Sequence, residues 1–181
     1  DFISDSGYIK GGMFANATIP YASLKNWKIP KKFEHWLGRT WAGKNVEIID
    51  VSGWDLSNTK SILGLFADAV ALVKLDGIET WKNTSGIEDM SQLFYGLKNL
   101  EYYDINNLDT SGVINISLLF YECEKLTSID LSGLNTSNVI IINSMFEGCK
   151  NLQSLNMDGW NLSNIGSASA GGGMLYGIPI K

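Results

Sequence analysis

The sequence predicts an α/β repeat fold, a row of coils each made of a strand, a turn and a short helix. Three observations predict it. Apolar residues Val46, Leu72, Leu100, Leu126 and Leu152 lead successive units, at spacings of 26, 28, 26 and 26. Phe66, Phe94, Phe120 and Phe146 each stand six residues before the next leader. Two consecutive lines, residues 100–125 and 126–151, are both 26 long and share Leu, Asp, Thr-Ser, Val, Phe and Cys at matched places. A unit this short cannot bury its own apolar face, but stacked units can.

Each element follows from local pattern. The strand comes first: positions 1, 4 and 6 are apolar, as in Leu126/Ile129/Leu131, Val46/Ile49/Val51, Leu100/Tyr103/Ile105 and Leu152/Leu155/Met157. Positions 4 and 6 alternate with polar residues, which is strand periodicity. The Leu72 unit has Gly77 at position 6 and is two residues longer, so a bulge is expected there. Next comes the expected helix. Val139/Ile142/Met145/Phe146, Val113/Ile116/Leu119/Phe120 and Ile87/Met90/Leu93/Phe94 fall at i, i+3, i+6 and i+7. Ser57, Ser85, Ser111 and Ser137 precede these stripes as expected N-caps, and Ser85 to Glu88 fits a capping box. Gly96 and Gly148 suit a helix end that needs positive φ.

The ends decay. Leu24, Trp27 and Ile29 repeat the 1-4-6 spacing, and Phe33, Trp36, Leu37 and Trp41 form a stripe after Pro30. A partial unit is expected around Met13 and Phe14. At the other end Gly159-Trp-Asn-Leu-Ser-Asn164 echoes Gly53-Trp-Asp-Leu-Ser-Asn58, and a flexible loop through Gly171–Gly173 replaces the helix. The chain therefore divides into three parts: a cap with a degenerate repeat (1–45), regular repeats with the leader spacings given above (46–151), and a C-terminal degenerate repeat (152–181). All three make one domain of about six coils.

Composition narrows the function. The 181 residues are 45% apolar and 18% charged, which is globular. A net charge of −5 argues against nucleic acid as a partner. Lys25, Lys28, Lys31, Lys32, Arg39 and Lys44 against Glu34 make a basic end on an acidic body. No stretch approaches the ~18 uncharged apolar residues of a membrane span. No signal peptide opens the chain, which fits an intracellular protein or a mature or excised segment.

Chemistry is sparse. His35 is the only histidine, and no cysteine stands near it in sequence. No phosphate-binding glycine loop appears in context, and no cofactor is expected. Cys123 and Cys149 share one repeat position and are expected as buried apolar groups, neither a disulfide nor a metal site. Strand position 5 gives an outward column, Asp50, Asp76, Asp104, Asp130 and Asn156, flanked by Lys74 and Tyr102 at position 3. Such carboxylates repel by about 1 kcal/mol per pair in water. A hydrogen-bonded ladder, a ligand-contacting strip and a cation site all answer that repulsion. Tyr95, Tyr121 and Tyr176 follow the repeat aromatic and form a second candidate column, for edge packing or for stacking on sugar or peptide. Trp27, Trp36 and Trp41 sit among the basic residues, as a lid or as a contact for an anionic partner.

The LxxLxL opening is the strand signature of a leucine-rich repeat, so the α/β fold expected is a leucine-rich-repeat-like solenoid, with a parallel sheet on one face and short helices on the other. The fuller unit, through Asp130-Leu131-Ser132, Thr136-Ser137-Asn138-Val139, Met145-Phe146 and Cys149, resembles the BspA-like leucine-rich-repeat bacterial surface proteins, whose repeat also fills many mycoplasma lipoproteins. The resemblance holds well over residues 100–152 and loosely over 46–99. It implies an extracellular location at the bacterial cell surface and an adhesin-like binding role, with no catalytic residues to carry over. The function expected is a non-catalytic module, a monomer, binding a host or neighbouring-cell protein or glycan through its exposed solenoid surface. A structural spacer within a longer surface protein is the alternative, and an intracellular effector or enzyme the remote one.

Overall fold

The computed structural model describes residues 19–27, 29, 46–166 and 171–179. The expected unit at Met13 and Phe14, the stripe from Phe33 to Trp41 with His35, and residues 167–170 lie outside the described residues.

Five three-residue strands appear among the described residues: β1 (Tyr21–Ser23), β2 (Ile48–Asp50), β3 (Lys74–Asp76), β4 (Ser128–Asp130) and β5 (Ser154–Asn156). All pairing is parallel, in one sheet ordered β1-β2-β3 and a second ordered β4-β5. The parallel sheet expected on one face is therefore two small sheets among the described residues. The gap falls at residues 102–104, where Tyr103 turns inward and donates its hydroxyl to the Leu75 carbonyl at 3.0 Å. Register corrects the first coil as well. Tyr21 pairs with Ile48, so Leu24 stands where Val51 does, and Ile19/Ala22/Leu24 carry the 1-4-6 pattern. Trp27 and Ile29 match Trp54 and Leu56 instead and pack half-buried against the core.

The short helices are absent from the described repeats. Alternate amides on that side bond to the next coil. Met90, Gln92, Phe94 and Gly96 donate to the carbonyls of Asn115, Ser117, Leu119 and Tyr121. Ile116, Leu118, Phe120 and Glu122 donate in turn to Ile141, Asn143, Met145 and Glu147. Tight turns separate the rungs, for example Tyr121 N–H to Leu118 O at 3.2 Å. Gln92, Leu118 and Ser144 share one repeat position and all take positive φ, at 58°, 56° and 52°. An α-helix does not tolerate that conformation, which costs an ordinary residue roughly 1–2 kcal/mol. Helices under ~12 residues are marginal alone, so the intercoil ladder wins. The apolar spacing that suggested a helix still marks the buried side: Ile87, Met90, Leu93 and Phe94 are at most 1% exposed.

The serines are not helix caps. Ser57, Ser111, Ser137 and Ser163 give their amides to the side-chain oxygens of Asp55, Asp109, Asn135 and Asn161, all at 3.0 Å, closing Asx turns. The expected capping box gives way to a 3₁₀ turn over Thr84–Gly86, and Glu88 pairs with Lys60 at 2.6 Å. The two extra residues of the Leu72 unit lie before Thr84, where a further 3₁₀ turn over Ile78–Thr80 is entered through Gly77 at φ 93°. A side chain on Gly77 would meet Ser52 at 2.2 Å, so only glycine fits. Gly172 and Met174 accept from Ser144 and Phe146, so part of the expected flexible loop extends the ladder.

Rings fill the core in columns. Phe94 and Phe120 stack at 5.2 Å, Phe120 and Phe146 at 5.6 Å, Phe66 and Phe94 at 6.2 Å. Buried polar groups are paired coil to coil. Thr84, Thr110 and Thr136 each donate a hydroxyl to the carbonyl of a next-coil residue, Asp109, Asn135 and Asn161 in turn, and accept that residue's amide. Trp54, Trp81 and Trp160 donate Nε1–H to Leu24, Val51 and Leu131 carbonyls.

Both the ladder and its threonine ties can be probed in solution. Far-UV circular dichroism of the chain will lack a helical double minimum in proportion to the expected helices. Thr110→Val will lower urea-unfolding stability by about 1–3 kcal/mol, because it strands the N–H and C=O of Asn135; Thr110→Ser, which keeps both bonds, will cost under about 1 kcal/mol.

Candidate binding face

Strand alternation sets the outward rows. Tyr21, Ile48 and Lys74 share one row by register, and Ser23, Asp50 and Asp76 the next. In the second sheet Asp130 stands beside Asn156. Tyr102 and Asp104 lie between the sheets, both exposed. Tyr102 is 61% exposed and Tyr21 50%.

Most of the acid column serves the backbone. Asp50 Oδ1 accepts the amide and hydroxyl of Ser52. Asp104 accepts the Asn106 amide at 2.9 Å, Asp130 the Ser132 amide at 2.9 Å, and Asn156 the Asp158 amide at 3.0 Å. Asp76 instead holds Lys74 at 2.7 Å. Asn106 ties two coils, accepting from the Gly133 amide and donating to the Asp130 carbonyl. The Ser52 hydroxyl and then its amide draw Asp50 below the ordinary carboxylate range, and the Ser132 amide does the same for Asp130.

The tyrosine column comes together in part. Tyr95 and Tyr121 stack at 4.8 Å and 5° between planes, so each covers a face of the other. Burial, then the nearby Glu122, pushes the Tyr95 phenol up. Tyr176 is 70% exposed. Beside this column Glu124 bridges Lys98 at 2.9 Å and Lys150 at 3.6 Å, an exposed ladder of little energetic weight.

Cys123 and Cys149 are free and fully buried, and their thiols point to the carbonyls of Phe94 and Phe120. Burial pushes Cys149 up to about 12 and Cys123 well above its ordinary value. Among the described residues no group of three or more His, Cys, Asp or Glu could hold a metal ion. No helix among them is long and apolar enough to cross a membrane.

Sequence reasoning missed a surface groove of about 400 Å³ on the turn side. Its lining includes the Lys60–Glu88 pair, Gly86, Gly112 and the exposed Ile114 and Ile140. Gly112 is obligatory, since a Cβ there would lie 2.1 Å from the Ser85 carbonyl. The available signal was the pair of isoleucines, one repeat apart and outside the i, i+3, i+6, i+7 stripe.

The titrating groups set two expectations. The depressed carboxylates give stability that is complete above their unfolded value of 3.8 and is lost as pH falls through the lower folded values. Melting temperature will therefore fall as pH drops below about 4, and Asp130→Asn will flatten that slope. A thiol reagent will leave both cysteines unmodified in the native chain and modify both in urea.

The crystal structure of a leucine rich cell surface protein from Faecalibacterium prausnitzii A2-165 is 17% identical, covers 81% of this chain and superposes with a TM-score of 0.50. This chain spans only 34% of that protein's length. A leucine-rich-repeat protein of T. pallidum is 13% identical, with coverage of 86% of this chain and 77% of its own and a TM-score of 0.41. No curated protein matches. The fold is thus related to leucine-rich repeats, and the BspA-like resemblance read from the sequence holds. The sequence profile described as "Mycoplasma protein of unknown function, DUF285" matches residues 70–172, more than half of the chain, and the chain belongs to that family.

Proposed function

We propose that this chain is a non-catalytic binding module of a bacterial cell-surface protein, its repeats forming part of a solenoid that presents the outward strand face to a host or neighbouring-cell protein or glycan. The observation that carries this reading is Tyr102. It stands 61% exposed between the two sheets, with no packing role among the described residues, in line with Lys74 and beside Asp104. An exposed phenol flanked by a cation and carboxylates offers stacking, donor and acceptor together, the usual chemistry of polar recognition. The rows beneath it are tied to the backbone, so the face is preorganised and loses little entropy on binding. The surface location draws support from the fold shared with the Faecalibacterium cell surface protein.

The spacer reading has its own support. Most of the acid column is engaged by its own turns, which leaves fewer groups for a ligand. Binding of the 181-residue chain to host-protein and glycan arrays separates the two. The binding reading expects a partner whose affinity drops at least about tenfold, or ~1.4 kcal/mol, in the Tyr102→Ser, Lys74→Ala double variant. Retention of full affinity removes this face from recognition, and silence of the wild-type chain on both arrays favours the spacer.

A further inference from the structure

One junction in the middle of the stack is fastened on a single side. It lies between the Leu72 coil (72–99) and the Leu100 coil (100–125), with described coils on both sides of it. Within each sheet the strand-side backbone repeats one pattern. The amide of position 6 donates onward, as Leu24 does to Asp50, Val51 to Asp76 and Leu131 to Asn156. The amide of position 3 donates back to a position-2 carbonyl, as Ile48 does to Pro20, Lys74 to Glu47 and Ser154 to Thr127. At this junction both are missing. Gly77 N–H and Val73 C=O have no partner among the described residues, and neither do the Tyr102 and Asp104 amides. On its far side the Leu100 strand is held as lightly. Thr127 N–H reaches Glu101 O at 3.4 Å, and the Asn106 side chain takes the Asp130 carbonyl that Ile105 would otherwise meet.

The turn side of the same junction is closed. Met90, Gln92, Phe94 and Gly96 donate across it, Thr84 bonds both backbone groups of Asp109, and the Cys123 thiol meets Phe94 O. Two residues produce the asymmetry. Gly77 takes φ 93° where other coils place Leu24, Val51 and Leu131, and a 3₁₀ turn follows at once. Tyr103 takes the inward position that Ala22, Ile49, Leu75 and Ile129 fill elsewhere. Its ring is buried, so the hydroxyl needs a partner, and it takes the Leu75 carbonyl at 3.0 Å. Lys74 and Asp76 face the preceding coil, so strand alternation aims that carbonyl at the Leu100 coil, where a paired strand would use it. The Tyr103 hydroxyl stands in for a strand bond. Among the described residues it makes the sole hydrogen bond on the strand side of this junction.

We propose that this junction is a hinge. The turn-side ladder is its axis, and the strand side opens and closes about it with the Tyr103 hydroxyl as the latch. Closure also keeps the Tyr103 ring against Phe94, centroids 5.2 Å apart. Hinges absorb their motion at a few element-terminal residues, and Gly77, just past β3, is one. Opening swings the half of the outward face that carries Tyr21, Asp50 and Lys74 away from the half that carries Asp130 and Asn156, and Tyr102 stands at the parting. The motion belongs to the stack itself and holds with or without a partner on that face.

Amide exchange and double electron–electron resonance on the 181-residue chain test it. The Tyr102 and Asp104 amides will exchange at least about 100-fold faster than those of Lys74 and Asp76, which hold the same strand positions one coil earlier. Spin labels at Tyr21→Cys and Ser154→Cys span the strand side, five coil spacings or ~24 Å apart. Labels at Asn58→Cys and Asn164→Cys span the same junction next to the ladder. The buried Cys123 and Cys149 take no label. The strand-side pair will give two distance populations. Tyr103→Phe removes the latch, keeps the ring and will raise the longer population at least about twofold. The Asn58 and Asn164 pair will give one population in both backgrounds, and circular dichroism confirms that each variant is folded. Protected Tyr102 and Asp104 amides, a single strand-side distance, equal spreading of both label pairs, or a longer population indifferent to Tyr103→Phe overturns the hinge.

Discussion

The structure depends on one constraint: every coil must return to the same height after one repeat, so that its alternate amides meet the next coil's carbonyls. Phe94 N–H meets Leu119 O, and Phe120 N–H meets Met145 O. The phenylalanine rings stack only because that register holds. Each stacked ring pair adds about 0.5–1.5 kcal/mol beyond area burial, and each ladder bond about 1 kcal/mol net. Neither alone offsets the entropy of ordering a coil. Together, repeated along the stack, they outweigh the local preference for helix. The longer Leu72 unit obeys the same rule: its extra residues lie before Thr84, around the 3₁₀ turn at Ile78–Thr80, and the ladder beyond them resumes in step.

Side chains finish what the backbone begins. Coils this narrow have corners at which amides and carbonyls would be buried unpaired, at a cost of about 1–3 kcal/mol each. The Thr84, Thr110 and Thr136 hydroxyls, the Trp54, Trp81 and Trp160 indoles and the cysteine thiols each meet such a group. Asx turns close the remaining bends. The motif residues that look most like chemistry are thus committed to architecture. The side chains that the turns do not use are chiefly Tyr21, Lys74 and Tyr102 on the strand face and Ile114 and Ile140 by the groove.

How much of this was legible depended on whether a signal was about burial or about backbone. Leu126, Ile129, Leu131 and Phe146 read as core from spacing and are at most 3% exposed. The buried, free cysteines followed from their shared repeat position. The helix expectation failed because Val139, Ile142, Met145 and Phe146 carry a buried-face spacing that a turn ladder satisfies equally well. The discriminating fact, positive φ at Gln92, Leu118 and Ser144, leaves no trace in residue type. Ser111 and Ser137 were read as caps because an Asx turn and an N-cap use the same residues. The first coil was misaligned because Leu24/Trp27/Ile29 and Ile19/Ala22/Leu24 both fit the 1-4-6 spacing, and only pairing with Ile48 decides between them. For the site, the outward rows were legible from alternation, whereas the groove was not, since it arises between coils.

The most direct measurement is the through-hydrogen-bond scalar coupling from the Phe94 amide nitrogen in isotopically labelled protein. The account predicts a coupling to the carbonyl carbon of Leu119, in the following coil, and a like one from Phe120 to Met145. A coupling from Phe94 to Met90, the partner it would have in an α-helix, would contradict the account and return the helix to this side of the repeat.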